Sequence, residues 1–272
     1  MTAQPTLKAP PGTTDCHIHV YDAALPLAPT AKFKPPHAPV EDYLAVRKLL
    51  SIERTVVVQP TSYGWDNTLT LDTVRRMGAS ARGVVVIDEK TSDAELTRLN
   101  GLGVRGVRFF MLPGGVLGWD VLERMAARLA EIGWSITFQM DGRNFPDREA
   151  AINRVECDLV IDHTGKFLEP VATDSAAFKS LLRILDNERR WIKLAAPYET
   201  SKKGPPYYDD VGVMAKALVR HAPDRTLWAS NWPHPNFKPE HAWMLDMLLD
   251  WVPDEKVRQK VLVDNPARLY GF

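Results

Sequence analysis

Asp15, His17 and His19 occupy alternate positions near the N-terminus, in the run Asp15-Cys16-His17-Ile18-His19. Alternate side chains of an extended strand share a face, so this spacing predicts two imidazoles side by side with Asp15 beneath them. Such a column is costly to bury and adds little to packing. It is suited to holding a metal, moving a proton or polarising a carbonyl.

Groups of this kind need a scaffold to bring partners to them, and the remaining sequence reads as one. Short apolar, β-branched runs at 13–20, 54–59, 82–88, 104–111, 135–141, 158–163, 191–196 and 226–231 predict eight strands. Amphipathic helices are predicted between them, among others at 40–51, 69–78, 93–100, 119–132, 178–187 and 211–221. Gly101, Gly103 and Gly133 stand where helices should stop. Alternating strands and helices imply a parallel sheet. Eight units in this length favour an α/β fold of the (β/α)8 TIM-barrel type over an open doubly wound sheet. No GxGxxG follows the first strand, which also speaks against a dinucleotide fold. The expected organisation is a single domain, with an N-terminal arm over 1–12 and the barrel over 13–272.

Active-site residues of such barrels come from the C-terminal strand ends and from residues facing inward. On strand five, Ile136, Phe138 and Met140 form an apolar face for the helices, which turns Thr137, Gln139 and Asp141 inward. The same alternation places Gln59, Arg108, His163 and Asn231 inward, with Asp162 outward. The expected result is a polar ring of His17, His19, Gln59, Arg108, Gln139, His163 and Asn231, more hydrogen-bonding groups than a stability core would gather. Lys193 lies deeper, at the level of a core ion pair. Two long segments, the proline-rich 22–39 and 197–210 with Tyr198, Lys202 and Lys203, follow strand ends and should arch over the same face as lids.

Bulk properties narrow the partners. The 272 residues are 45% hydrophobic and 25% charged, with 34 basic and 34 acidic side chains and zero formal net charge. Nucleic acid and anionic membranes are therefore not the expected partners. No apolar run is long enough for a bilayer, and the first residues lack a signal-peptide core. Cys16 and Cys157, on or beside strands, read as small buried hydrophobes. A cytoplasmic enzyme or binding protein is the expectation; Trp243 and Trp251 on the last helices suit a core or an interface, leaving the oligomeric state open.

Several stretches carry a family resemblance. They are Thr14-Asp15-Cys16-His17-Ile18-His19-Val20-Tyr21-Asp22, Val104-Arg105-Gly106-Val107-Arg108-Phe109, Asp162-His163-Thr164-Gly165, Lys193-Leu194-Ala195-Ala196-Pro197-Tyr198 and Ser230-Asn231-Trp232-Pro233-His234-Pro235. With the terminal Asp264-Asn265-Pro266-Ala267-Arg268-Leu269-Tyr270-Gly271-Phe272, the chain resembles the amidohydrolase superfamily. The likeness is to the amidohydrolase-related branch that includes 2-pyrone-4,6-dicarboxylate lactonase. It implies a (β/α)8 hydrolase that opens a carboxylated lactone, either 2-pyrone-4,6-dicarboxylate-like or a sugar-acid lactone. It also implies His17, His19, His163 and Asn231 as the catalytic set and Arg108 as a carboxylate binder.

Departures from the pattern bear on mechanism. Asn231 stands where lactonases of the branch have a water-activating Asp, and a carboxamide cannot accept a proton as a general base. Gln139 stands where many metal-dependent members have His, and Glu199 where relatives tend to carry Arg. No metal is assured; if one divalent ion such as Zn²⁺ binds, His17, His19 and His163 are its expected ligands. The base is then Asp141, His163 or His234, although Asp141 reads equally well as a carboxylate capping the loop before Gly142. Gln59, Arg108, Gln139, Tyr198, Lys202, Trp232 and His234 are the expected substrate contacts. The alternatives are a lactone isomerase or decarboxylase on the same site, or a catalytically impaired paralogue that binds a carboxylated metabolite.

Overall fold

Runs such as Arg54-Thr55-Val56-Val57-Val58 favour extended backbone because β-branched side chains pack well on a pleated surface. In the computed structural model, which describes residues 3–235, 237 and 239–272, eight such runs form strands. They are β1 (Thr14–Ile18), β2 (Arg54–Val58), β3 (Ala81–Val85), β4 (Val104–Phe110), β5 (Ser135–Gln139), β6 (Leu159–Ile161), β7 (Arg190–Leu194) and β8 (Thr226–Trp228). All neighbours pair in parallel and in chain order. The sheet closes through the residues that follow β8: Ile18 bridges Trp232, Asn231 N donates to His17 O (3.0 Å), and His19 N donates to Trp232 O (2.8 Å). The closed parallel sheet with helices between its strands is the expected (β/α)8 barrel.

The helices α1 (Val40–Leu49), α2 (Thr68–Met77), α3 (Asp93–Gly101), α4 (Trp119–Glu131), α5 (Phe145–Arg154), α6 (Ala176–Leu185), α7 (Asp209–His221) and α8 (His241–Trp251) cover the outside. Ser92 and Ser175 cap α3 and α6, each accepting from a backbone N–H three residues on (3.2 Å). Gly103 and Gly133 take positive φ after α3 and α4, where an L side chain would be strained. A terminal helical run over 255–270 ties to the start of β8, with Asn265 Nδ2 donating to Thr226 O (2.8 Å). In the arm, the Thr6 and Leu7 amides bond the Asp246 carboxylate on α8; Met1 and Thr2 lie outside the described residues. Cys16 and Cys157 are both free and buried, Trp251 is buried and Trp243 is half exposed. None of the described helices is long and apolar enough to cross a membrane.

The strands end sooner than the apolar runs suggested, and the reason is local. His163, Thr164, Lys166, Ala196, Asn231 and His234 all adopt left-handed backbone after β6, β7 or β8. That conformation cannot continue a ladder, and for residues other than glycine it persists only where surrounding structure enforces it. Part of the enforcement is visible at Gly142, where an added Cβ would stand 2.4 Å from the Gly165 carbonyl oxygen. The loop after β5 therefore packs directly on the turn that carries His163.

Candidate active site

At the C-terminal strand ends a cavity of about 380 Å³ is lined by polar groups on one side, including His19, Tyr21, Arg108, Gln139, His163, Lys166, Glu199 and Asn231. Phe33, Phe110, Leu112, Leu168 and Phe237 supply much of the apolar wall. Below it lies a buried ionic network. The Lys193 ammonium, fully buried on β7, donates to Asp162 Oδ1 (2.8 Å) and to His17 Nδ1 (3.2 Å). His17 Nε2 faces His19 Nε2 at 3.2 Å, and His19 Nδ1 lies 2.7 Å from Val58 O. An ammonium only donates and a carbonyl only accepts, so the chain has one direction with neutral rings: Lys193 to His17 Nδ1, His17 Nε2–H to His19 Nε2, His19 Nδ1–H to Val58 O.

Neutral rings also follow from burial. It pulls His17 down to about 4 and holds His19 and His163 well below the ordinary histidine range. Burial alone would raise the Asp162 carboxyl, but the Lys193 ammonium holds it well below the usual carboxylate range. Asp15 is different: burial outweighs its hydrogen bonds and pushes it up to about 6.

Two strand-face expectations are corrected. Asp15 is not beneath the imidazoles; it turns to Ser230 N (2.9 Å) and Tyr43 Oη on α1 (3.2 Å), because the ladder slips register between Asp15 and Ile18. Asp162 faces inward rather than outward, because the chain leaves the strand after Ile161 and alternation no longer applies.

Of the residues expected from sequence, His19, Arg108, Gln139, His163 and Asn231 line the cavity, and His17 sits directly beneath. Arg108 Nη1 donates to Gln59 O (2.8 Å) and its Nη2 lies 3.5 Å from Gln139 Oε1, while Nε has no partner. Gln59 does not reach the cavity floor; its amide is spent on Gly64 O, Asp66 O and Thr70 Oγ1. Asp141 is the loop cap, not a base at the cavity: its carboxylate takes the Arg143 guanidinium (2.6 and 2.9 Å) and the Arg143 and Leu168 N–H groups. Lys202 points away to Glu169 (3.2 Å) and does not line the cavity. Trp232 packs on Tyr43 rather than walling the cavity. Tyr198 and His234 stand behind Asn231: Asn231 Nδ2 donates to Tyr198 Oη (2.8 Å), which donates to His234 Nδ1 (2.7 Å). The first long loop contributes Phe33. Lys166 and Glu199, which pair with each other, were not anticipated as cavity residues.

His17, Asp162 and His163 form a buried group whose ligand atoms all lie within 4.8 Å of one another and could hold a metal. Asp162 Oδ2 and His163 Nδ1 are buried without partners, and two neutral imidazoles with an ionised carboxylate are an N/O donor set of the kind Zn²⁺ accepts. Lys193 occupies both the other Asp162 oxygen and the His17 Nδ1 lone pair, so a dication would have to displace it from His17 and would be held less tightly beside its charge.

A barrel with this histidine-rich mouth defines a class, and comparison places the chain within it. The amidohydrolase family profile matches residues 14–272, and the protein belongs to that family. It is 37% identical over 272 residues to a 4-sulfomuconolactone hydrolase of Rhizobium radiobacter, covering 96% of this chain and 91% of that one. Identity is 34% over 283 residues to a 2-pyrone-4,6-dicarboxylate hydrolase of Comamonas testosteroni (98% and 93% covered). It is 33% over 268 residues to a D-galactarolactone isomerase of Agrobacterium fabrum strain C58 (96% and 91% covered).

Proposed function

We propose that the protein is a lactone-opening hydrolase whose substrate carries a carboxylate beside the ring. The observation that carries this reading is Arg108. Its guanidinium is buried at the cavity wall, donates only to neutral oxygens, and has no carboxylate partner among the described residues. An unpaired buried cation is expensive unless an anionic ligand completes it, and the planar fork matches a carboxylate. The three relatives act, by their names, on lactones or a pyrone dicarboxylate, which are anionic cyclic esters.

With the carboxylate on Arg108, the ring carbonyl lies against the histidine side of the cavity, where His163 hydrogen-bonds the oxyanion as the carbonyl is attacked. Asn231 supports the attacking oxygen. Both hydrogens of its Nδ2 are used, on Tyr198 and Glu199, so the buried, unpartnered Oδ1 accepts from a water or hydroxyl in the cavity. A divalent ion on His17, Asp162 and His163 would add Lewis-acid polarisation of the carbonyl.

A second reading, isomerisation of one lactone to another, places a substrate hydroxyl instead of water on Asn231 Oδ1, and the likeness to a D-galactarolactone isomerase supports it. A panel of pyrone dicarboxylates and sugar-acid lactones in ¹⁸O-water tests both. Hydrolysis incorporates one solvent oxygen per turnover, whereas isomerisation incorporates none. A purified protein that leaves every lactone of the panel unchanged overturns the proposal.

A further inference from the structure

The geometry points to Glu199 as the proton carrier of the reaction, in place of the carboxylate missing at position 231; this rests on the reading of the cavity as a lactone site. Glu199 is the only carboxylic acid among the described residues that line the cavity. It follows β7 in the turn over Pro197–Glu199, and its side chain is 26% exposed, to the cavity rather than sealed beneath it. One oxygen, Oε1, accepts from Asn231 Nδ2 (3.2 Å); the other is paired with the Lys166 ammonium. The amide of Asn231 thus holds Glu199 on one side and offers its own Oδ1 to an attacking oxygen on the other. Two side chains divide what one aspartate does elsewhere: Asn231 aims the attacking oxygen and Glu199 takes its proton.

Lys166 gives the arrangement a trigger. It lines the same cavity and is the ammonium partner of the Glu199 carboxylate. A substrate carboxylate competes for that ammonium. As Lys166 shifts toward the substrate, Glu199 loses its counter-ion and its basicity rises when a proton acceptor is needed.

The step balances without any other reactant. The attacking oxygen forms a bond to the ring carbonyl carbon while its proton passes to Glu199, and the carbonyl π pair moves onto the carbonyl oxygen. When that pair returns, the carbon–ring-oxygen bond breaks and Glu199 gives the proton to the departing oxygen. With water as attacker one water is consumed and the ring opens to a hydroxy acid. With a substrate hydroxyl as attacker a different ring closes and no water is used. Glu199 serves both.

The test is E199Q, which keeps the side-chain volume and an acceptor toward Asn231 but cannot carry the proton, alongside E199D and the wild type on a lactone the wild type turns over. The titratable groups that share the cavity with Glu199 are His19, Tyr21, Arg108, His163 and Lys166. A pH profile of kcat/KM for each variant therefore accompanies the rates. We expect kcat of E199Q to fall by roughly 10²–10⁴-fold, in the range of general acid–base catalysis. We also expect loss of the acidic limb of the profile, partial rescue in E199D, and a thermal midpoint within a few degrees of wild type. A fall of less than tenfold, an acidic limb that survives in E199Q, or a wild-type profile without one overturns the assignment while leaving lactone turnover intact. A wild type inactive on every lactone overturns the functional reading on which it rests.

Discussion

Replacing Lys193 by Met tests the ionic layer under the cavity. Methionine keeps the apolar stem of the lysine and removes only the ammonium, so Asp162 is left as a fully buried carboxylate whose main counter-charge is gone. Removing one partner of a buried pair typically costs about 3–5 kcal/mol, because the other charge remains desolvated. Both side chains are fully buried and the contact is 2.8 Å, so the upper half of that range is expected from urea unfolding at pH 7. The pH dependence has a definite sign. In the wild type Asp162 is held below 3.8, so its contribution is present above that pH and lost as the pH falls through its folded value. In K193M burial dominates, Asp162 titrates above its ordinary value, and the penalty shrinks as acid protonates it. The K193M deficit should therefore be largest near neutrality and smaller at about pH 4.5. Adding D162L removes the stranded charge and should bring stability back to within about 1 kcal/mol of wild type. A deficit below about 1 kcal/mol at pH 7, one that grows on acidification, or a double variant no better than K193M refutes the reasoning.

Two further outcomes follow from the cavity itself. Arg108→Lys keeps the charge but loses the fork, so KM for a carboxylated lactone should rise roughly tenfold to hundredfold, the equivalent of one charge-assisted hydrogen bond. A steady-state assay that finds the change confined to kcat contradicts the role given to Arg108. Zn²⁺ added to metal-free protein should raise the thermal midpoint through His17, Asp162 and His163, and His163→Asn should abolish the rise. An identical rise in that variant removes His163 from the donor set.

How much of this was legible in the sequence depended on whether a residue lies inside a strand or just beyond it. Within β4 and β5 the period-two pattern placed Arg108 and Gln139 toward the barrel mouth, since a regular pleated strand leaves little choice. The helices were readable from their apolar spacing to within about two residues. Prediction failed where the backbone leaves the ladder. Asp162 was assigned outward by a pattern that stops at Ile161, and Asp15 inward by one that slips within β1. Lys166 and Glu199 sit in left-handed or tight turns whose directions no periodicity encodes. The departure of Glu199 from the family's Arg was a usable signal. It marked the position without giving its direction, and the fold brings that carboxylate against Asn231 and Lys166.

The charges at the barrel mouth sort by depth, and the sorting leaves Arg108 as the cation without a carboxylate partner among the described residues lining the cavity. Lys193 and Asp162 neutralise each other in the sealed layer, and Lys166 and Glu199 do so at the rim. The imidazoles of His17, His19 and His163 are kept neutral by burial and neither attract nor repel. Arg108 is what remains, a single positive charge against Phe110, whose ring centroid lies 5.0 Å from its Cζ, in a wall of Phe33, Leu112 and Leu168. An apolar surround weakens dielectric screening, so one guanidinium there attracts a carboxylate more strongly than Lys202 or Lys203 on the exposed loop could. The same surround makes the empty cavity costly for Arg108, and a bound anion relieves that cost. In the proposed reading the carboxylate contact therefore falls to Arg108 on strand four rather than to Lys202, which pairs with Glu169.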